Sequence, residues 1–223
     1  MGPQASAEFY RLLIEGARHR YGAHANNEYP EILIDSVPVP DFLSATQHME
    51  TAALMLEDRV QRLSDFGASV ITMSCNTACI LTERLQKLTP VPMVSVVEEV
   101  VRVVSNSRKK VLLLASPTSL TLGLYQLALA RYGILYEVPR QIEYQELETI
   151  IRGVIDGEDR GVLMSRLVTI AERYVGKNDI HGIVLGCTEL PLVFPVNYRL
   201  PVYSSLSILA ESLLKRYYNK EVL

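Results

Sequence analysis

Cysteine is scarce in this chain, with three among 223 residues. Three thiols cannot pair completely, and no charged stretch leading into a short apolar core opens the sequence, so a secreted protein framed by disulfides is not expected. A reducing cytoplasm is the expected setting. Histidine is nearly as rare, and none of the four (His19, His24, His48, His181) is spaced against Cys75 and Cys79 as a zinc ligand set requires, so no metal is expected. Basic residues form no stripe. The net charge is −3, and Arg108-Lys109-Lys110 leads straight into an apolar run, which speaks against nucleic acid as a partner. A membrane span is not expected either. Val111 to Ala130 carries no charge, but Pro117, Gly123, Gln126 and several hydroxyls interrupt it, so it reads as strand, loop and helix. The opening MGPQAS fits a loose acylation pattern, yet Pro3 and the lack of a neighbouring basic cluster argue against an anchor. No Gly/Ser linker divides the chain.

What is present is apolar sequence, 48% of the residues, enough for a substantial core. It comes as short β-rich runs alternating with amphipathic ones. A helix is predicted over 4–20, a strand at Ile32-Leu33-Ile34 and a helix over 47–63. SVITMS then reads as a strand, followed by a helix from Asn76, the strand PMVSV and a helix to Val104. KVLLLA, a helix over 120–132 and LYEV come next, then helices over 144–155 and 159–175, GIVLG, PVY and a closing helix from Leu206. Continuous apolar strands alternating with helices indicate an α/β protein with parallel sheets covered on both faces. The order also repeats. SVITMS leads into Cys75-Asn76-Thr77 and later VPMVS; GIVLG leads into Cys187-Thr188-Glu189 and later LPVYS. The chain therefore reads as two similar halves, each with a cysteine at the carboxyl end of a strand, where ligands bind in such sheets.

A thiol at a helix N-terminus is expected to have its pKa lowered, and free N–H groups there attract a carboxylate. No histidine stands beside either cysteine in the sequence to make a single nucleophile. Two opposed thiols suit different chemistry, in which one removes a proton from a carbon and the other returns a proton on the opposite face. A cysteine on a strand is ordinarily a small apolar core residue. The matched places of Cys75 and Cys187, each followed by hydrogen-bonding residues, favour chemistry here.

At these residues the sequence resembles the aspartate/glutamate racemase family of cofactor-independent amino-acid racemases. The resemblance runs through essentially the whole chain and is carried by MGPQAS, SCNTA, LLLASPTSLTLGLYQLALARYGI and VLGCTELPL. It implies two pseudo-symmetric Rossmann-like subdomains, 1-105 joined by the closing helix 206-223 and 106-205, with a cleft between them. It implies Cys75 and Cys187 as the acid/base pair, with neither pyridoxal phosphate nor metal, a small amino-acid substrate and a homodimer. Substrate contacts carry over to Pro3, Asn76, Thr77 and Thr188, and to Ser116 and Ser119 where the family usually has threonine. Glu189 is expected to orient the second thiol or the substrate ammonium. Two other readings stand beside this one: a related single-cysteine decarboxylase or isomerase, and a weakened homologue that only binds a small acid or a partner.

The departures are specific. Cys79 stands where the family commonly has histidine, and is expected to pack inward beside Cys75. Phe42 and Ile151 stand where aspartate-selective members carry cations, with Arg152 the nearest substitute, so strict aspartate specificity is not expected. The resemblance begins at Met1-Gly2-Pro3, inside a turn that follows the family's first strand. The first strand of the N-terminal sheet is thus expected to be missing, and its place in the sheet to be open or rearranged.

Overall fold

The structure is a computed structural model that describes residues 2–41, 43, 46–177 and 179–219. The chain opens with α1 (Pro3–Tyr21), where Pro3 in the first turn sacrifices an N–H that would lack a helical partner anyway. Its residues Ala5, Phe9, Leu13 and Ala17 recur at helical spacing and are buried. Next come α2 (Met49–Asp65), β1 (Ile71–Thr72), a 3-10 turn at Thr77–Leu81, α3 (Thr82–Gln86), β2 (Met93–Val94) and α4 (Val96–Ser105). The later part runs β3 (Val111–Ala115), α5 (Pro117–Thr121), α6 (Leu124–Arg131), β4 (Tyr136–Glu137), α7 (Tyr144–Asp156) and α8 (Arg160–Val175). It ends with β5 (Ile183–Gly186), β6 (Val202–Ser204) and α9 (Ser205–Asn219). The last helix returns to pack on α1 and α4.

The strands form two parallel sheets, as the apolar runs predict. One has the order β4-β3-β5-β6, with Leu113 opposite Val184 and Val184 opposite Tyr203. Every residue of β3 and β5 is buried, the pattern of strands covered by helices on both faces. The other sheet is β1 beside β2, with Ile71 opposite Met93. The main core spans β3, β5, α1, α4, α7 and α9. A smaller cluster joins Ala52, Leu56 and Val60 of α2 to Ile71, Met73 and Leu85.

Three predictions are corrected. The helix from Asn76 is first a 3-10 turn, Thr77–Leu81, before α3 begins. The helix over 120–132 is two helices, because Gly123 adopts a left-handed conformation (φ 69°) that ends α5 and starts α6. The strand at Ile32-Leu33-Ile34 does not form. Its sequence favours a strand, but a strand needs a ladder partner, and between this run and β1 lies a cavity of about 530 Å³ lined by Phe9, Ile32, Ile34, Val60, Ile71 and Leu214. Leu33 and Ile34 are exposed as a result. Among the described residues no helix is long and apolar enough to cross a membrane.

Candidate active site

Both cysteines lie just past a strand end. After β1 the chain passes through the buried Met73 to Cys75, and Asn76 then leads into the 3-10 turn, whose first bond runs from the Cys79 N–H to the Asn76 carbonyl (3.0 Å). After β5 come Cys187, Thr188 and Glu189, and another 3-10 turn at Leu190–Leu192 with Pro191 in its first turn. Asn76, Thr77, Ser116, Ser119, Cys187, Thr188 and Glu189 are all buried, while Cys75 is partly exposed.

Around Cys187 the contacts converge on one carboxylate oxygen. The Cys187 thiol donates to Glu189 Oε2 at 3.1 Å and the Thr188 hydroxyl donates to the same atom at 2.9 Å. The other oxygen faces the start of α1: a Cβ added at Gly2 would sit 2.3 Å from Glu189 Oε1. Gly2 therefore permits α1 to begin against the site, and Pro3 follows it at the exposed edge. The Thr77 and Ser116 hydroxyls share a hydrogen bond of 2.8 Å. Ser116 also caps α5 by accepting from the Ser119 N–H, whereas the buried Ser119 hydroxyl has no partner among the described residues.

The expected lowering of the thiol pKa values is corrected. Burial, reinforced by the Glu189 carboxylate, pushes Cys75 up to about 12. Burial and the same carboxylate raise Cys187 well above the ordinary thiol value, with Cys75 a smaller contributor in the same direction. A short 3-10 turn supplies little of the dipole a long helix would, and desolvation of the thiolate dominates. The two thiols and Glu189 thus lie within electrostatic reach of one another. Cys79 packs inward as expected, buried, with its thiol directed at the Cys75 carbonyl (3.6 Å).

Two participants escaped the sequence reading. Asn76 Oδ1 accepts from the Tyr125 hydroxyl, and Asn76 Nδ2 donates to Ser205 Oγ at 3.0 Å. Only the serine had a signal, since it follows the strand ending LPVYS in the internal repeat. Of the expected cation positions, Ile151 is fully buried in the core, and Phe42 lies outside the described residues. Arg152 is engaged by Asp41 at 2.6 Å and Glu148 at 2.8 Å.

The Asp/Glu/hydantoin racemase profile matches residues 1–213. The chain belongs to this family. It is 26% identical over 219 residues to the broad specificity amino-acid racemase RacX of Bacillus subtilis (strain 168), an alignment covering 97% of this chain and 95% of the relative. An aspartate racemase homologue from Pyrococcus horikoshii OT3 superposes with a TM-score of 0.78 at 28% identity, covering 96% and 93% of the two chains. The aspartate racemase of Picrophilus torridus superposes at 0.84 with 23% identity, covering 100% and 93%. The fold of this family member is accordingly the two-part, Rossmann-like α/β fold, and the chain is an enzyme of the amino-acid racemase class, an isomerase.

Proposed function

We propose that this racemase inverts the Cα of an amino acid by proton transfer between Cys75 and Cys187, without pyridoxal phosphate. The observation that carries the reading is the bond from the Cys187 thiol to the buried Glu189 carboxylate. Both resting thiols are protonated, so one must ionise before it can act as a base. Glu189 is placed to accept the Cys187 proton. The Cys187 thiolate then takes the Cα proton, leaving the bonding pair on the substrate as a carbanion. Cys75 returns a proton to the other face and becomes the thiolate, and the proton taken up by Glu189 passes back to it, so that both thiols are again protonated. The opposite direction uses the same groups in reverse. Asn76, Thr77 and Thr188 hold the carboxylate, and the Ser119 hydroxyl, which has no partner among the described residues, joins them. The cleft lies between 1-105 with 206-223 and 106-205, the family resemblance adds a homodimer, and the scarce cysteines point to a reducing cytoplasm.

Specificity is relaxed. Ile151 brings no charge, and Arg152 is already held by two carboxylates, so a buried acidic side chain on the substrate would lack a free cation from either position. The Bacillus relative, whose name gives it broad specificity, points the same way. The test is incubation in D₂O with a panel of L- and D-amino acids, reading Cα deuteration by NMR. Exchange of several amino acids, with aspartate not preferred by orders of magnitude, is expected. Silence across the panel overturns the reading, and a strong aspartate preference overturns its specificity.

A further inference from the structure

Asn76 is held at both ends of its side chain by residues far away in sequence. It is 1% exposed. Its carbonyl oxygen accepts from Tyr125, at the start of α6, and its amide nitrogen donates to Ser205, the first residue of α9. Tyr125 is completely buried, and Asn76 is its only hydrogen-bond partner among the described residues. The ring reaches this place by lying on the backbone of β5. A Cβ at Gly186 would stand 2.8 Å from Tyr125 Cε2 and 3.1 Å from Cδ2. The glycine before Cys187 thus makes room for the tyrosine that bonds the residue after Cys75.

We propose that Tyr125 is a positioning residue that fixes the carboxamide of Asn76 in one orientation, so that the amide N–H left over by Ser205 meets the substrate carboxylate. The inference rests on the racemase reading above for the identity of that carboxylate. A primary amide has two N–H donors, and Ser205 accepts one. Turning the amide over would place its nitrogen against the phenol and leave the phenolic proton without an acceptor in a buried place, a costly arrangement. Burial also raises the Tyr125 pKa, so the phenol keeps its proton and remains a donor through the range in which the enzyme can work. Tyr125 itself does not touch the reacting atoms; it acts through Asn76.

The test is Tyr125→Phe, which keeps the ring on Gly186 and removes only the hydroxyl. In ¹⁵N NMR the Asn76 side-chain NH₂ pair, assigned by its loss in Asn76→Ser, should show slow solvent exchange in the parent and at least roughly tenfold faster exchange in Tyr125→Phe, an effect on the scale of one hydrogen bond. For the amino acid turned over best, KM should rise about tenfold with kcat within about threefold. That rise should vanish when Tyr125→Phe is made in an Asn76→Ser background. An unchanged NH₂ exchange rate, an unchanged KM, or the same rise in both backgrounds overturns the proposal. Should no amino acid be turned over, a locked amide released by Tyr125→Phe sinks the racemase reading and with it the substrate half of the proposal, while the orientation stands; an unlocked amide sinks the orientation too.

Discussion

In the second sheet β5 has a neighbour on each side, β3 and β6, and all of its residues are buried. In the first, β1 has β2 on one side and the 530 Å³ cavity on the other. The same strand, cysteine and turn therefore rest on unequal supports. Cys187 continues a strand locked by two ladders, and its side chain is tied to Glu189 two residues on. Cys75 continues a strand with one ladder. The residues after it are located by bonds to the other half: Thr77 to Ser116, and Asn76 to Tyr125 and Ser205. The comparison teaches that sheet pairing positions one thiol, whereas polar side chains crossing between the halves position the surroundings of the other.

The largest effect should be one in which the halves behave alike. Cys75→Ser and Cys187→Ser should each lower the rate of Cα inversion by about 10²-fold or more, since each stereochemical direction needs both a base and an acid. Cys79→Ser should cost less than about tenfold, because Cys79 packs inward and only orients a neighbour. Loss of optical rotation from a single enantiomer, followed on folded variants checked by circular dichroism, measures this. A serine variant of either site cysteine that keeps most of its activity would remove that thiol from the mechanism.

Stability should separate the halves. Leu185→Ala empties a fully packed place in β5 and should cost about 2–5 kcal/mol in urea unfolding. Ile71→Ala removes a buried side chain from β1 that borders an existing cavity, so fewer contacts are lost and about 2 kcal/mol or less is expected. Equal costs would mean that the two sheets are equally well packed after all.

Much of this organisation is legible in the sequence. KVLLLA and GIVLG are uninterrupted apolar runs, a pattern that requires neighbours on both faces, and both cysteines sit where such runs stop. Apart from the break at Gly123, which is local, the failures share a cause: the deciding partner is remote. Ile32-Leu33-Ile34 has strand-forming residues, but a ladder is a property of two segments, and local pattern carries no word of the empty place beside it. Asn76 is expected to open an α-helix, but its side chain is held by Tyr125 and Ser205 of the later half, and a tight 3-10 turn follows it. The sign of the thiol pKa shifts depends on burial and on Glu189, which only the folded chain brings near Cys75. Tyr125 goes unremarked in an apolar stretch because its partner stands 49 residues away.

The smallest expected difference concerns titration, where the two halves should agree despite their unequal sheets. An ordinary cysteine loses its proton near 9.0, and Cys75 in the fold holds it to about 12; Cys187 is shifted in the same direction. Between those values the unfolded chain binds fewer protons than the native one, so stability falls as pH rises, by about 1.4 kcal/mol per pH unit for each thiol kept protonated. Below pH 9 the contribution is fully present, and it is lost progressively through the interval up to the folded pKa. Serine does not titrate there. Cys75→Ser and Cys187→Ser should therefore each flatten the decline in urea-unfolding free energy between pH 9.5 and 10.5 by about 1.4 kcal/mol, other titrating groups being common to parent and variant. A Cys75→Ser slope matching the parent while Cys187→Ser flattens would mean that water at the exposed edge of Cys75 solvates its thiolate, and that only the thiol on the fully paired sheet is shielded.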